Sequence, residues 1–350
     1  MNKTNQLQQV TPILQHYGIS PYFVESFGRI KRIYSDKGVF ALKKITPHHG
    51  TDFIRSIQYL YQKGFNRIVP IYPALDGRYA IIHQKNLYYL MPWLSNEVKE
   101  DRNERHQHMF RELARLHTLS VREVPINKEE KEEHYENTIH EWEKESELLE
   151  GFLEQCENRW YMSPFELLYC LYYQDISQAL RFSTNKFKEW YEKTKEDEKA
   201  RVVMSHGKLS TEHFIYDDKG YGYFLNFEDS RQGSPMHDIL PFLSRTLNTY
   251  PKQYDECVDW LYTYFKFFPL KEDEMHLLLS YFAHPSPLLE VIEDYHKSSK
   301  KDERKFVRRL QKEYWHLKNS EYIVMRIVET ERQKQLEKEA QAQAQDGAQN

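Results

Sequence analysis

The 350-residue sequence predicts an α+β protein with a small, strand-rich N-terminal lobe and a larger helical C-terminal lobe. Residues 1–93 alternate short strand patterns with turns that contain Gly or Asp. Helical spacing of apolar residues dominates afterwards, and a polar loop region, 203–238, enters late among the helices. We therefore expect lobes at 1–93 and 94–330, followed by a disordered low-complexity tail at 331–350.

In the N-terminal lobe, two strand pairs are expected around one helix. Strand patterns at 30–34 and 39–45 flank a turn that contains Gly38. Residues 53–63 have apolar side chains at helical spacing, and Gly64 suits the left-handed position that ends a helix. Two further strands are predicted at 79–83 and 87–91, with a hinge between the lobes at 90–94.

The C-terminal lobe is predicted to be helical on both sides of the loop region. Its most charged segment, 129–156, keeps Trp142 and Leu149 on an apolar stripe. This charge therefore indicates the solvated face of a helix rather than an acidic tract that binds a partner. Helices are expected at 104–118, 129–156, 165–182, 187–195, 239–247, 254–267, 271–282 and 300–327.

The composition excludes several classes of protein. Apolar residues make up 40% and aromatic residues 15% of the chain, which is ample for packed cores, and the net charge is -4. Nucleic-acid binding without sequence preference needs many cations on one face, so we expect no nucleic acid partner.

Three scattered cysteines (Cys156, Cys170, Cys257) do not indicate a disulfide framework or a zinc site, and they suit a reducing cytosol. We expect neither a membrane span nor a secretion signal.

Two neighbouring segments carry the most informative pattern. Residues 205–215 read Ser-His-Gly-Lys-Leu-Ser-Thr-Glu-His-Phe-Ile, and residues 226–229 read Asn-Phe-Glu-Asp. A His-Gly loop that leads into a short strand pair has the outline of a phosphotransferase site. Further segments fit the same outline in order: Ala41-Leu42-Lys43, 64–68, 91–93, 113–117 and 233–238.

Together these segments resemble the aminoglycoside-phosphotransferase or choline-kinase-like group. Within it, the sequence resembles the bacterial spore coat proteins of the CotS and YutH type, and it is most similar to the YutH members. The resemblance covers most of the chain and implies a two-lobed, protein-kinase-like fold. In active members, a strand lysine holds the ATP phosphates, an Asp after His-Gly orients the acceptor hydroxyl, and an Asn and a second Asp bind magnesium.

The residues at these four positions are changed in all but one case. Lys43 matches the phosphate-contacting lysine, but Lys208 stands in place of the catalytic Asp. His213 replaces the metal-binding Asn, and Asn226 replaces the metal-binding Asp.

The replacements remove the chemistry that phosphoryl transfer depends on, which is positioning and charge neutralisation. The ammonium of Lys208 cannot accept a proton and repels a metal ion, while imidazole prefers softer metals than magnesium. Two carboxylates become a cation and a neutral amide. Each unit of charge is of order 4 kcal/mol at ~4 Å and an effective dielectric of ~20. We therefore predict a pseudokinase with no metal site and no cofactor, in which Lys43 is vestigial.

At other family positions, we predict residues with a structural role or a reduced capacity to bind phosphate. The resemblance implies that His206 braces the loop and that Asp238 anchors it. The helix at 53–63, which normally pairs a carboxylate with the strand lysine, contains no acid. The upstream turn contains one glycine, Gly28, which makes a phosphate cradle of backbone amides doubtful.

Two alternatives stay open. If residues 226–229 form a strand, Asn226 and Glu228 project from the same side, so Glu228, with Asp229 beside it, could hold a metal ion in an atypical kinase. An ATP-binding switch without phosphoryl transfer is a further possibility.

The favoured interpretation is a spore coat component or assembly factor that acts through protein–protein contacts. Its expected partners are other spore coat proteins, and its expected location is the mother-cell cytoplasm and then the spore coat. The specific partners, the oligomeric state and the small-molecule ligand are left open by the sequence.

Overall fold

The computed structural model describes residues 3–47, 50–97, 101–298 and 302–347. The chain forms two compact units, each assembled from two separate segments. Unit 1 comprises Met1–Arg122 and Val202–Asp238, and unit 2 comprises Glu123–Arg201 and Ile239–Asn350. These units do not follow the boundary at residue 93, because unit 1 combines the N-terminal strands with the late loop region. The lobe boundaries from the sequence remain a prediction.

Unit 1 contains a five-stranded antiparallel sheet with the strand order β1-β2-β3-β5-β4. The four strands predicted from the sequence are confirmed, whereas β1 and the helix before it, α1, were not predicted. The mixed exposure of β1 explains the omission, since it lacks a clean alternation of apolar and polar residues. The elements are α1 (Lys3–Gln15), β1 (Pro21–Phe27), β2 (Ile30–Ser35), β3 (Gly38–Ile45), β4 (Ile81–His83) and β5 (Asn86–Pro92).

The turn between β4 and β5 fixes the register of that hairpin. Gln84 and Lys85 both have positive φ angles, of 46° and 61°. Positive φ at both central residues is the geometry that matches the twist of a two-residue hairpin. The turn predicted at this position is therefore confirmed.

The core of the sheet in unit 1 is closed by α1. Buried side chains of α1 pack with buried residues of the strands, and the helix contacts β1. The cluster consists of Val10, Ile13, Leu14, Tyr17, Ile19, Val24, Ile33, Leu42, Ala74, Ile81 and Leu90.

The predicted helix at 53–63 is confirmed as α2 (Asp52–Gln62). Its apolar stripe is buried at Phe53, Ile54, Ile57 and Leu60. Gly64 follows with φ +83°, so the left-handed end of the helix is also as expected.

The rest of unit 1 builds the loop region. The predicted helix at 104–118 is present as α3 (Arg102–Ser120), with its stripe buried. A 3-10 helix (Thr211–His213) precedes the hairpin of β8 (Phe214–Tyr216) and β9 (Gly222–Phe224). A second 3-10 helix (Phe227–Asp229) leads to β10 (Arg231–Gly233), which pairs with the end of β7 (Lys199–Ser205). The strand β6 (Arg122–Pro125) follows α3, and from Glu123 onwards its residues belong to unit 2.

Unit 2 is built from helices that share one aromatic-rich core. Buried residues of α4, α5, α9 and α10 meet there, among them Trp142, Tyr169, Phe187 and Tyr295. The helices are α4 (Lys128–Glu157), α5 (Pro164–Thr194), α6 (Met236–Leu247), α7 (Asp255–Phe267), α8 (Glu272–Ala283), α9 (Ser286–Lys297) and α10 (Glu303–Gly347).

Unit 2 differs from the sequence prediction in one helix boundary and in one helix that was not predicted. The helices expected at 165–182 and 187–195 form the single helix α5. The polar residues between them stay helical because Leu180 and Phe187 on either side are both buried in the core of unit 2. The Thr184 hydroxyl is satisfied within the helix, since it donates to the carbonyl of Leu180 at 2.9 Å. The helix α9 was missed because its first turn contains Pro287, which is well tolerated at that position.

The C-terminal segment also differs from expectation. Low-complexity composition favoured disorder from residue 331, but α10 continues to Gly347. Ala, Gln, Glu and Lys are strong helix formers, so this composition is compatible with a helix. Across the described ranges, no helix combines the length and apolar character needed to cross a bilayer.

Candidate functional site

The register of the sheet places Lys43 of β3 opposite Tyr89 of β5. Lys43 is 9% exposed, so its ammonium group is largely withdrawn from water. Its Nζ donates to Oδ1 of Asn226 at 2.5 Å and to Oε1 of Glu228. The strand lysine therefore contacts the segment after β9 rather than solvent.

Glu228 receives a second hydrogen bond in the same place. The hydroxyl of Tyr89 donates to Oε1 of Glu228 at 2.6 Å. The side chains of Lys43 and Glu228 are 11% and 7% exposed, which makes this a buried ion pair. We refer to Lys43, Tyr89, Asn226 and Glu228 as the lysine cluster.

The pKa values within the lysine cluster follow from burial and charge. Burial acts to raise the pKa of Glu228, but the charge and hydrogen bond of Lys43 and the hydroxyl of Tyr89 outweigh it, so this pKa lies below its usual value. Burial lowers the pKa of Lys43, and attraction to Glu228 opposes that shift. Burial and the nearby carboxylate hold the pKa of Tyr89 well above its usual value. At neutral pH the carboxylate is ionised and the phenol is neutral.

The backbone after β9 is not the strand that the sequence interpretation assumed. Asn226 lies in the left-handed region, with φ 69° and ψ 55°, and a 3-10 helix follows it. The buried ring of Phe227 anchors this turn. Asn226 and Glu228 still converge, but they converge on Lys43 because of the turn and not because of strand alternation.

The His-Gly loop is held by Asp238, which is 1% exposed. Its carboxylate accepts the backbone amide of His206 at 2.7 Å and that of Gly207 at 2.8 Å. The ring Nε2 of His117 lies 3.2 Å from the same carboxylate. Burial acts to raise the pKa of Asp238, but the hydrogen bond and charge of His117 outweigh it, and the pKa lies below its usual value.

The ring of His206 connects two parts of the loop region. Nε2–H donates to the carbonyl of Leu225 at 2.9 Å, and Nδ1 accepts the amide of Lys208 at 3.2 Å. Burial lowers the pKa of His206, so the ring is neutral with its proton on Nε2. These contacts are compatible with the structural roles expected of His206 and Asp238, which remain predictions.

Gly207 occupies a position that only glycine fits. Its φ is +82°, and a Cβ atom there would lie 2.1 Å from the carbonyl oxygen of Asp229. The loop therefore packs directly against the backbone of the segment that supplies Glu228.

Lys208, at the position of the expected proton acceptor, is exposed. Its ammonium group has no ion-pair partner within the described part of the chain. Its charge contributes to lowering the pKa values of both Lys43 and His213, so it lies within electrostatic reach of the lysine cluster. A cation and not a carboxylate thus faces this side of the site.

The ring of His213 is hydrogen-bonded to the backbone of the loop. Its Nδ1–H donates to the carbonyl of Lys208 at 2.9 Å, five residues earlier. Burial lowers the pKa of His213; the hydrogen bond to Lys208 opposes this shift, and the nearby charges of Lys43 and Lys208 add to it. The ring is therefore a neutral element of the loop.

The face of the sheet that presents Lys43 also presents an arginine between aromatic rings. Arg32 pairs with Ala41, two residues before Lys43, so both project from the same face. The guanidinium of Arg32 lies 4.9 Å from the ring centre of Tyr34 and 4.7 Å from that of Trp93. The rings of Phe27 and Trp93 are 5.8 Å apart. Sequence reasoning missed this cluster, because cross-strand neighbours depend on register.

The described residues contain no group of three or more His, Cys, Asp or Glu side chains that could hold a metal ion. Of the two carboxylates considered from the sequence, Glu228 is bound by Lys43. Asp229 is exposed next to it.

Comparison with known proteins assigns the family. Residues 26–260 match the model of the phosphotransferase enzyme family APH. The chain belongs to this phosphotransferase family. The predicted fold class, α+β and kinase-like, is thereby confirmed, as is the resemblance to the aminoglycoside-phosphotransferase group.

Solved structures of the family have the same fold at low sequence identity. An aminoglycoside phosphotransferase from Alicyclobacillus acidocaldarius is 14% identical with a TM-score of 0.62, covering 91% of this chain and 95% of its own. The AMP-bound spectinomycin phosphotransferase APH(9)-Ia is 14% identical with a TM-score of 0.53, covering 93% and 98%. Its complex with ADP and spectinomycin is 11% identical with a TM-score of 0.51, covering 92% and 99%. No curated protein sequence matches the chain.

Proposed function

We propose that this member of the phosphotransferase family is a pseudokinase of the CotS and YutH group. In this proposal it serves as a spore coat component or assembly factor through protein–protein contacts, with other spore coat proteins as partners. The inactivity is supported by the site, and the coat role is supported by the resemblance of the sequence to that group.

The observation that carries the inactivity is the buried lysine cluster. Glu228 lies next to the changed metal position, Asn226, and its charge is already neutralised by Lys43. A phosphate that needs Lys43, or a metal ion that needs Glu228, has to break a buried ion pair first. Breaking such a pair by removing one partner costs about 3–5 kcal/mol.

The residues at the magnesium position do not fit magnesium. This ion prefers several hard oxygen ligands in octahedral geometry. Oδ1 of Asn226 and Oε1 of Glu228 are engaged by the ammonium group of Lys43. Lys208 supplies no oxygen, and the Nδ1 of His213 is hydrogen-bonded to the backbone. We therefore derive no metal-assisted step at this site.

General-base chemistry is also unsupported. A proton acceptor for a substrate hydroxyl needs a lone pair within hydrogen-bond reach. Lys208 offers a protonated amine at the expected position, and the neutral ring of His206 is fully buried. The half-buried ring of His213 keeps a lone pair on Nε2, but it stands at the expected metal position and not at that of the base. Loss of the base and loss of the metal site act in the same direction.

The test is nucleotide binding and phosphoryl transfer by the purified full chain. We expect no change of the melting temperature with MgATP, although a ligand at 100 times its Kd would stabilise the protein by about 2.7 kcal/mol. We also expect no transfer of labelled γ-phosphate to small alcohols, aminoglycosides, choline or the protein itself. Label on any acceptor would overturn the proposal.

The double substitution Lys208→Asp with Asn226→Asp tests which feature prevents nucleotide binding. A matched control carries the same charge changes at exposed positions in Lys219→Asp with Asn185→Asp. If only the first variant gains an MgATP-dependent shift, the changed charges alone prevent binding. If neither gains it, other features of the same sheet face, such as the Arg32 cluster, prevent binding as well.

A second candidate is an atypical small-molecule or protein kinase that holds its metal with Glu228 and Asp229. The exposure of Asp229 and its position beside Glu228 favour it. The ion pair with Lys43 weighs against it, because Glu228 would have to exchange an ammonium group for the metal. Manganese- or magnesium-dependent transfer that is lost in Glu228→Gln would establish this second function.

The proposed coat role has a separate test. A fluorescently tagged copy is expected in the mother-cell cytoplasm early in sporulation and then at the spore surface. A tagged protein that stays diffuse throughout sporulation would contradict the coat role while leaving the pseudokinase assignment intact.

A further inference from the structure

The loop between α4 and α5 in unit 2 exposes two large aromatic side chains. Trp160 is 89% exposed and Tyr161 is 83% exposed, with their ring centres 6.3 Å apart in an edge-to-face arrangement. Rings of this size are usually buried, so two adjacent exposed rings indicate a surface that is covered by something else.

Aliphatic side chains extend this surface along the start of α5. Leu167 and Leu171 are one helical turn apart, and they are 53% and 67% exposed. Residues four positions apart lie on the same face of a helix. We refer to Trp160, Tyr161, Leu167 and Leu171 as the aromatic edge.

The first turns of α10 lie at the same end of unit 2. The hydroxyl of Ser163 hydrogen-bonds to that of Tyr295 at 2.9 Å, and the amide of Phe165 donates to Glu303 at 2.8 Å. The ring of Phe165 also lies 6.1 Å from that of Phe306. The loop that carries the aromatic edge is thus joined to the start of α10.

The start of α10 is basic in a protein whose net charge is -4. Residues 302–312 contain five cations and two acids. Arg309 pairs with Asp294, and Lys312 pairs with Glu313. The other three cations are exposed, line a groove of about 360 Å³, and have no ion-pair partner in the ranges that the structure describes: Arg304, Lys305 and Arg308.

We propose that this end of unit 2 is a peripheral docking surface for an anionic lipid bilayer. Trp and Tyr are favoured at the level of lipid headgroups, where one end of the ring is apolar and the other is wet. Exposed Arg and Lys next to them are attracted to the negative surface of such a bilayer, which strengthens binding about fivefold per residue. The surface would rest on the membrane without crossing it.

The aliphatic part of the aromatic edge favours lipid over nucleic acid. Stacking of bases on aromatic rings accounts for binding to single strands, and cations account for contacts with phosphates. Neither contact uses exposed leucine side chains such as Leu167 and Leu171. Burial of these side chains at the boundary of the acyl chains does use them.

Three exposed acids oppose the attraction, and one of them, Asp302, lines the same groove as the three cations. Glu154 and Glu157 lie at the end of α4, shortly before the loop. Their repulsion provides a gain-of-binding test, because Glu157→Lys should strengthen docking on an anionic bilayer.

The experiment is sedimentation of the purified full chain with vesicles. We expect binding to phosphatidylcholine vesicles that contain phosphatidylglycerol, much weaker binding to phosphatidylcholine alone, and a loss of binding as salt is raised. Reversal of three charges, in Arg304→Glu, Lys305→Glu and Arg308→Glu, should weaken binding at least about 100-fold. The control reverses the same charge farther along α10: Arg332→Glu, Lys334→Glu and Lys338→Glu.

A spectroscopic readout separates insertion from simple charge attraction. Brominated lipids should quench tryptophan fluorescence in the wild type, and Trp160→Phe should remove that quenching while it retains most of the binding. Far-ultraviolet circular dichroism confirms that each variant is folded.

Three outcomes would overturn the proposal. The first is equal sedimentation with neutral and anionic vesicles. The second is equal weakening by the two triple reversals. The third is tighter binding to duplex DNA than to anionic vesicles under the same salt conditions.

Discussion

Lys43 and Glu228, which are 185 residues apart in the sequence, form a buried ion pair in unit 1. The same ammonium group holds the amide oxygen of Asn226, and the same carboxylate oxygen accepts the hydroxyl of Tyr89. The ammonium group of Lys43 is thus the centre of a closed polar cluster.

Removal of the lysine should destabilise the protein strongly. Lys43→Met leaves the carboxylate of Glu228 buried with one partner fewer, and we expect a loss of about 3–5 kcal/mol in the free energy of unfolding, measured by urea denaturation. Lys43→Met with Glu228→Met should recover much of that loss, since replacement of a whole buried pair by apolar residues is often neutral.

A matched pair at the surface provides the control. Arg55 and Asp52 are 3.5 Å apart, and their side chains are 86% and 87% exposed. Arg55→Met should change the free energy of unfolding by less than about 0.5 kcal/mol. Equal losses for Lys43→Met and Arg55→Met would contradict the burial argument.

The stability should depend on pH through Glu228. Its pKa in the folded protein lies below the ordinary value of 4.5, so the unfolded chain binds more protons in that range. The contribution of Glu228 is complete above pH 4.5 and is lost as the pH falls through the folded pKa. As the pH is lowered below 4.5, the unfolding free energy of the wild type should therefore fall relative to that of the double variant Lys43→Met, Glu228→Met. A gap that is constant over this acidic range would show that the pair is not ionised.

Asp238 should be required for an ordered His-Gly loop. Asp238→Ala leaves the buried amide of His206 without its acceptor, and a buried unsatisfied group costs about 1–3 kcal/mol. The partly exposed amide of Gly207 and the ring of His117 lose the same carboxylate. We expect a loss of roughly 2–4 kcal/mol and faster hydrogen exchange at the two amides. The exposed Asp36 is the control, since Asp36→Ala should stay within about 0.5 kcal/mol of the wild type.

Gly207 and Gly220 have nearly the same φ angle, +82° and +80°, but different surroundings. Gly220→Ala introduces a Cβ into open space, so it should cost only the left-handed penalty of about 1–2 kcal/mol. Gly207→Ala adds a clash with the carbonyl of Asp229 and should destabilise the protein by clearly more than that. Similar melting temperatures for the two variants would show that the loop can move away from this carbonyl.

The sequence predicted elements well where one local pattern dominated. The strand-forming residues of β2 and β3 on either side of a Gly-containing turn and the stripe of α2 were sufficient, because their neighbours in sequence are also their packing environment. Prediction was wrong where a distant contact overrides the local pattern. Ser183 is polar, yet the core of unit 2 buries it and α5 continues through it.

The residues of the candidate site could also be predicted only in part. The position of Lys43 and the changed residues Lys208, His213 and Asn226 could be read from motif order. The partner of Lys43 could not be predicted. The acid of α2, Asp52, is exposed beside Arg55, and the carboxylate that binds Lys43 comes from a turn whose left-handed backbone no pattern indicated. The aromatic rings around Arg32 were hidden for the same reason, since they meet across strands.

The sequence by itself determined the fold class and the residue types at the candidate site. An ammonium group at position 208 cannot accept a proton whatever the surrounding geometry, and an amide at 226 carries no charge in any conformation. Only the tertiary structure decided that Lys43 is bound by Glu228 and Asn226, and that Asp238 holds the loop. These pairings join segments far apart in the chain, so they are fixed by strand register and packing and not by local preference.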